Sequence, residues 1–213
     1  MPLKIDLHVH TCYSYDAVTT LEEVIAYSKK RGLNGVAITD HDTLKGALKL
    51  QQKNNFLIIP GMEISTRQGH VLAINITTPI PPALDVHETI ERIHEAGGVA
   101  VAAHPTTLAK GGLRRKIGSG FDAIEVINSS AVPFFFSVYL NRKIAERFSL
   151  PQTAGSDAHC PFEIGTAYTI VDANSKLDEI VEAIRKGATV PYGKPIPWRM
   201  RVRREALTLK RKL

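Results

Sequence analysis

Short apolar runs that end in histidines and carboxylates recur along this 213-residue chain, and this recurrence restricts its fold more than any other feature. His8 and His10 close the run that begins at Leu3. Asp40 and His41 follow Gly35 to Thr39, Glu63 follows Phe56 to Ile59, and His70 opens the run through Val71 to Ile76. His104 follows Val99 to Ala103, and Asp157 and His159 come just after Gly155. Helical patterns separate many of these runs, over Leu21 to Arg31, Leu44 to Lys53, Val86 to Ala96, Val138 to Phe148 and Leu177 to Lys186, and Gly32, Gly97 and Gly187 follow three of them as C-terminal caps should. Alternation of this kind predicts an α/β fold with a largely parallel sheet. In such folds the downstream strand ends open onto one crevice or barrel mouth, so residues far apart in sequence would converge there. The chain is shorter than the roughly 250 residues of a full eight-stranded barrel, which leaves a smaller barrel and a compact open sheet both available.

Positions i and i+2 of a strand point to the same side, so His8 pairs with His10 and Asp157 with His159, while Val9 and Ala158 turn away. Six of the eight histidines fall at strand edges; His87 and His94, in a helical stretch, are predicted to lie on the outside. Taken alone each motif is ambiguous. Asp40 could cap a helix, and Glu63 could be a buried ion-pair partner. Taken together, so many polar groups in one mouth are costly unless cations or a dense hydrogen-bond network compensate them. Imidazoles mixed with carboxylates and no thiolate cluster favour Zn, Mn or Fe over a cysteine-type structural zinc site.

Charge is distributed unevenly. Lysine plus arginine is 27 against 21 acidic residues, but the last fifteen positions hold seven basic residues and one glutamate, leaving the preceding 198 balanced. In that tail Val202, Ala206, Leu209 and Leu213 recur at helical spacing among the basic residues, which predicts an amphipathic helix. Its two readings are contact with nucleic acid or another polyanion, and docking on the domain through the apolar stripe with the charges solvated. The two cysteines, Cys12 and Cys160, are too few for a disulfide framework; they flank proposed ligands and are read as buried and inert. The N-terminal segment lacks the apolar stretch of a secretory signal, and the most apolar window is interrupted by polar residues, so a cytoplasmic protein without a membrane partner is expected.

The segments DLHVHTCYS, AITDHDT, IPGMEIS, GHVLAI, VAAHP, DAIEVIN and AGSDAH, in this order, resemble the PHP (polymerase and histidinol phosphatase) family of metal-dependent phosphoesterases. The likeness runs from about Leu3 to Gly193, which makes 1–193 the domain and 194–213 a basic extension. The resemblance implies a distorted (β/α)7 TIM-like barrel with two or three divalent ions at its mouth, Zn, Mn or Fe, with Mg as a further option. Carried over by position, His8, His10, Glu63 and Asp157 would hold the first ion. Glu63 would bridge to a second, completed by His104 and His70, and Asp16, His41 and His159 would make the third. His70 and Asp16 take these roles from their order in the chain. Asp40 would orient His41 or cap the next helix.

The implied activity is hydrolysis of a phosphoester by a metal-activated hydroxide, on a nucleotide or other phosphorylated small molecule, or exonucleolytically on RNA or DNA. Asp157, His104 and His159 form the candidate catalytic set, the two histidines as proton donors to the leaving alcohol. Arg114 or Arg115, in the loop after His104, would grip the substrate phosphate, since a guanidinium binds phosphate oxygens bidentately. Asn128, with Glu125, could line the pocket. Two alternatives come from other classes. One is a non-catalytic nucleic-acid-binding or scaffolding subunit, which the retained ligand set argues against. The other is an amidohydrolase, which shares His-x-His but commonly needs a bridging lysine that this sequence does not supply.

Overall fold

The computed structural model describes residues 2–53, 56–107, 112–113, 117–118 and 120–212. Its nine strands are β1 (Leu3–Val9), β2 (Gly35–Ile38), β3 (Leu57–Ser65), β4 (His70–Ile74), β5 (Val99–Ala102), β6 (Ala123–Asn128), β7 (Gln152–Gly155), β8 (Ala167–Val171) and β9 (Thr189–Gly193). Among the described residues six α-helices accompany them: α1 (Leu21–Lys30), α2 (Lys45–Lys53), α3 (Val86–Glu95), α4 (Phe134–Phe148), α5 (Leu177–Arg185) and α6 (Trp198–Lys212). The strands form one sheet in the order β7-β6-β5-β4-β3-β2-β1-β8-β9.

This sheet curls into a nearly closed, distorted TIM-like barrel. Beyond Gly155 the chain rejoins β1: the amide of Asp157 donates to the carbonyl of His8 at 2.9 Å and that of His10 to the carbonyl of Ala158 at 3.0 Å. At the opposite end of β1, Leu3, Lys4 and Ile5 pair instead with β8. Seven strands therefore close at the mouth, and the β8–β9 hairpin fills the gap at the base.

The sheet is more mixed than the strand–helix alternation predicts. Strands β3 and β4 form a hairpin without a helix between them, so β4 runs antiparallel to both β3 and β5. Two register shifts matter more. On β1, Ile5 pairs with Gly35 but Val9 with Ile38, four residues against three. That extra residue turns Val9 outward onto Val36, Ile38, Ala47 and Leu50, while Ile5 and Leu7 pack with Ala37, Ile59, Leu72 and Val101. A second shift on β6, between Glu125 and Ile127, does the same there.

Helices cover the outside through apolar faces, with Val86, Ile90 and Ile93 of α3 packed against Val71, Ala73 and Ala100. His87 and His94 lie exposed on that helix, as its periodicity predicts. Gly32 and Gly187, just past α1 and α5, take positive φ of 67° and 73°, consistent with a left-handed C-terminal cap. No helix among the described residues is long and apolar enough to cross a membrane.

Helix α6 packs on the barrel by a face other than the predicted one. Val202 and Leu209 are 60% and 67% exposed, whereas Arg201, Arg204 and Leu207 face the protein. The arginines find carbonyl and carboxylate partners there, which an apolar stripe could not satisfy. Leu213 lies outside the described residues.

Candidate metal centre

Each strand end delivers its side chain for a local reason. His8 and His10 share a side of β1 beyond its bulge, and both are fully buried. Glu63 lies on β3, and Ser65, on the same face, pairs with His70 across the hairpin, so His70 joins Glu63. A parallel bridge from His41 to Glu63 continues the β2–β3 pairing past the end of β2. Gly155 permits the close approach of β7 to β1: a Cβ there would stand 2.3 Å from the His8 Cβ.

The side chains converge on three overlapping groups, in each of which the ligand atoms lie within 4.8 Å of one another: His8, His10, Glu63 and Asp157; His41, Glu63 and His70; and His10, Asp16, His41 and His159. His104 falls outside these groups, but its Nε2 lies 2.9 Å from Glu63 Oε1, the oxygen that also takes His70 Nδ1 at 2.8 Å. The structure thus brings together all nine residues read as ligands from the sequence. His41, assigned to one site, also stands 3.5 Å from Glu63 Oε2, and His10 belongs to two groups.

Donor chemistry supports a cation centre. His8 and His10 bring their Nε2 atoms to 3.1 Å, with Glu63 Oε2 3.2 Å from each. His8 Nδ1 is engaged by Glu125 Oε1 at 3.0 Å; a proton held there leaves a lone pair on Nε2, aimed at the cluster. His159 is arranged alike, with Nδ1 on the Asp157 carbonyl and Nε2 on Asp16 Oδ2, both at 3.0 Å. Among the described residues the buried Nδ1 atoms of His41 and His104 have no hydrogen-bond partner, the former standing 3.5 Å from Glu63 Oε2, a costly state in the absence of an ion or solvent. His104 and Asp157 also hold positive φ, 27° and 54°, strain of a kind that collects at functional sites.

Without ions the groups titrate against each other. Burial alone would raise Glu63, but the charge on His8 and the bonds from His10, His104 and His70 hold its carboxyl well below the usual range. Asp157 is likewise held far down against its burial by His8, His10 and His159. Desolvation pulls His8 down, yet Asp157, Glu125 and Glu63 outweigh it and raise the imidazole well above its ordinary value. Protons thus occupy part of the charge balance that cations would take over.

Several sequence assignments change. Asp40 does not bond His41; its carboxylate takes the Thr11 amide at 2.6 Å and hydroxyl at 2.8 Å, tying the β1–α1 loop to β2. Asn128, read as a substrate contact, is 2% exposed and gives its amide to Glu125 Oε2 at 2.9 Å and Asp157 Oδ2 at 3.3 Å. It borders the pocket while bracing two acids. Arg114 and Arg115 lie outside the described residues. Cys160 is buried but Cys12 is exposed, contrary to the buried reading of both.

Ser14 accepts the His41 amide at 3.2 Å and donates to Asp16 Oδ1 at 3.0 Å. Tyr15, 73% exposed, stacks on His41 with ring centroids 5.0 Å apart. Neither role has a sequence signal beyond adjacency to Asp16. The pocket measures about 320 Å³ and is lined by His41, Glu63, His70, His104, Asp157 and His159, with Tyr15 and Asp16 at one side and Ser130 at another.

Comparison with known proteins agrees with this geometry. Residues 6–118 match the family model described as PHP domain, and residues 139–189 match one described as PHP-associated. The uncharacterized protein MJ1587 of Methanocaldococcus jannaschii is 34% identical over 167 residues, covering 71% of this chain and 96% of its own. A phosphoribosyl 1,2-cyclic phosphate 1,2-diphosphodiesterase of Eggerthella lenta is 32% identical over 99 residues, 42% of this chain and 37% of that one. A two-domain protein from Bacteroides vulgatus, described as containing a predicted PHP-like metal-dependent phosphoesterase, superposes with a TM-score of 0.76 at 19% identity. The match covers 91% of this chain and 65% of that one, a likeness of fold.

Proposed function

The chain belongs to the PHP family, and we propose from that premise that it is a metal-dependent phosphoesterase that hydrolyses a small phosphorylated molecule with two or three divalent ions, Zn, Mn or Fe, at the barrel mouth. One observation carries the reading: donor atoms from β1, β3, β4 and the loops that follow β1, β2 and β7 gather into three groups, each within 4.8 Å. Ions in such a setting bring the pKa of water down toward neutrality and offset the negative charge of phosphate oxygens.

The chain's own residues do the rest. Glu125 and the Asp157 carbonyl take the Nδ1 side of His8 and His159, which would leave Nε2 of each to ligate an ion once its proton is displaced. Glu63 spans the cluster, one oxygen toward His8 and His10 and the other toward His70 and His104. His104 and His159 both line the pocket and are the two candidate proton donors. Among the described residues no lysine lines the pocket, which favours phosphoester over amide hydrolysis.

A small substrate is favoured over a polymer because Arg201, Arg204 and Arg211 of the basic helix spend their guanidinium groups on the barrel. The test is a titration of Mn, Zn, Fe and Mg against 5′-mononucleotides, nucleoside 3′,5′-bisphosphates, histidinol phosphate and short single-stranded RNA. Metal-dependent phosphate release from a small ester is the expected result. No turnover with any ion, or turnover of RNA alone, would overturn the proposal.

A further inference from the structure

Asp16 and His159 belong to loops, one between β1 and α1 and the other between β7 and β8, whereas His8 and Glu63 lie within strands. Helix α6 touches both loops. Arg211 donates to the Val18 carbonyl at 2.7 Å and forks onto the Glu23 carboxylate at 2.9 and 2.8 Å. Glu23 also forms the capping box with Thr20 that starts α1, so this fork fixes the end of the loop carrying Asp16. The Val18 amide in turn donates to the His159 carbonyl at 3.1 Å.

Arg204 reaches the other loop. Its Nη1 lies 3.4 Å from Glu163 Oε1, and Glu163 Oε2 accepts the amides of His159 at 3.0 Å and Cys160 at 3.3 Å. Glu163 is fully buried, and Arg204 is a cation that faces it. Arg201 donates to the carbonyl of Ser130 at 3.1 Å, on a third mouth loop. Positions 201, 204, 208 and 211 fall on one face of the helix. Asp16, Ser130 and His159 line both the metal pocket and a neighbouring cavity of about 400 Å³, whose far wall is Arg204, Glu205 and Thr208.

We propose that α6 is a clamp that sets the geometry of the His10, Asp16, His41 and His159 ion site, with Arg204 and Arg211 as positioning residues. This rests on reading that group as a metal site. The Arg211–Glu23 pair is partly exposed and contributes little to global stability, so its effect falls on loop position, whereas Arg204 also offsets the buried charge of Glu163. Ligands borne by β1 and β3 do not depend on the clamp.

The test uses the full chain carrying Arg204→Ala with Arg211→Ala, and counts Mn bound at equilibrium. The expected result is one ion fewer at concentrations that saturate wild type, or that ion held at least about ten-fold more weakly, the scale on which outer supports of a metal ligand act. The remaining ions keep their affinity; the ion-free double variant melts lower because Glu163 is left buried without its cation, while Arg211→Ala alone melts close to wild type and shows the same selective loss. Glu23→Gln, which weakens the Arg211 fork from the barrel side while keeping a capping-box side chain, should cause the same selective loss. Arg211→Lys should restore part of the affinity. Arg199→Ala with Lys210→Ala, exposed on the same helix, should change nothing. Equal loading of wild type and the double variant overturns the clamp and leaves the metal reading intact, whereas loss of all ions together with a lowered melting temperature marks a merely structural helix and also overturns it. If Asp16→Asn removes no ion from wild type, the metal reading of that group itself fails.

Discussion

Glu125 and His8, separated by 117 positions, meet at 3.0 Å between Oε1 and Nδ1, with both side chains buried. The other oxygen of Glu125 takes the His104 amide and the Asn128 side chain, each at 2.9 Å, so one carboxylate orients two candidate ligands. Glu125→Gln keeps the volume but puts an amide where an acceptor is needed. Carboxylates behind ligating histidines typically contribute about 10–100-fold in metal affinity. A loss of that size is expected, with the fold unchanged, measured by chelator competition and circular dichroism. Unaltered affinity would mean that the His8 tautomer is set by something else.

Metal binding and protonation compete at the centre, and the direction follows from the shifts. His8, His10, His104 and His159 are all raised above their ordinary value: burial pulls each down, but the adjoining carboxylates outweigh it. Their ion pairs stabilise the ion-free protein fully below about pH 6.5, the unfolded value, and that contribution is lost as pH rises through the higher folded values. Glu63 and Asp157 are depressed, so their contribution is present above their unfolded values and lost only in stronger acid. Near neutral pH an arriving cation must therefore displace protons from imidazoles. Mn binding is expected to release protons and to tighten as pH rises from 6 to 8, read by calorimetry in buffers of different ionisation enthalpy. The melting temperature should rise by roughly 5–10 °C at a hundred-fold excess over Kd.

Glu63→Ala removes the carboxylate that His8, His10, His70 and His104 all approach. Loss of ions from two of the three groups is expected, together with a fall in kcat of at least about a thousand-fold, the upper range seen when one preorganised electrostatic group is deleted. Metal analysis and phosphate release would check it. Retention of all the ions would show that Glu63 is a structural acid.

Much of this centre is legible in the sequence because strand geometry makes His8 and His10, and the ends of several runs, share a side without reference to the rest of the fold. What is not legible depends on partners. Glu125 and Asn128 are three apart and would point oppositely in a regular strand; the β6 register shift, which leaves no mark in the sequence, brings both to the mouth. Strand β7, Gln152–Gly155, has no apolar periodicity of its own and becomes a strand through pairing with β6. The α6 stripe of Val202 and Leu209 obeys helical periodicity yet faces solvent, because Glu23, Glu163 and the loop carbonyls of the barrel select the arginine face instead.

The two thiols should separate cleanly in reactivity. Cys160 is buried, and burial together with the nearby Glu163 pushes its thiol up to about 12. Cys12 is exposed, though burial and Asp40 raise it too. Reactivity follows the accessible thiolate. The native protein is expected to release one equivalent from a disulfide reagent, slowly and faster with rising pH, and the second only on unfolding. Two equivalents under native conditions would contradict the burial of Cys160.

Gly155 tests whether barrel closure and site assembly are one event. A methyl at this position would come within 2.3 Å of the His8 Cβ and 2.8 Å of Glu125 Oε1, so β7 and β1 could not both keep their places. Overpacking of this kind costs about 1–3 kcal/mol, or roughly 3–10 °C in a chain of this length. Because the obstructed atoms belong to His8 and Glu125, the metal affinity of Gly155→Ala should fall with its melting temperature. Gly118→Ala is the control, since nothing among the described residues lies within 4 Å of its added methyl, and it should leave both quantities unchanged. If Gly155→Ala lowered the melting temperature and left ion binding intact, the mouth would be held together by something other than the β1–β7 closure.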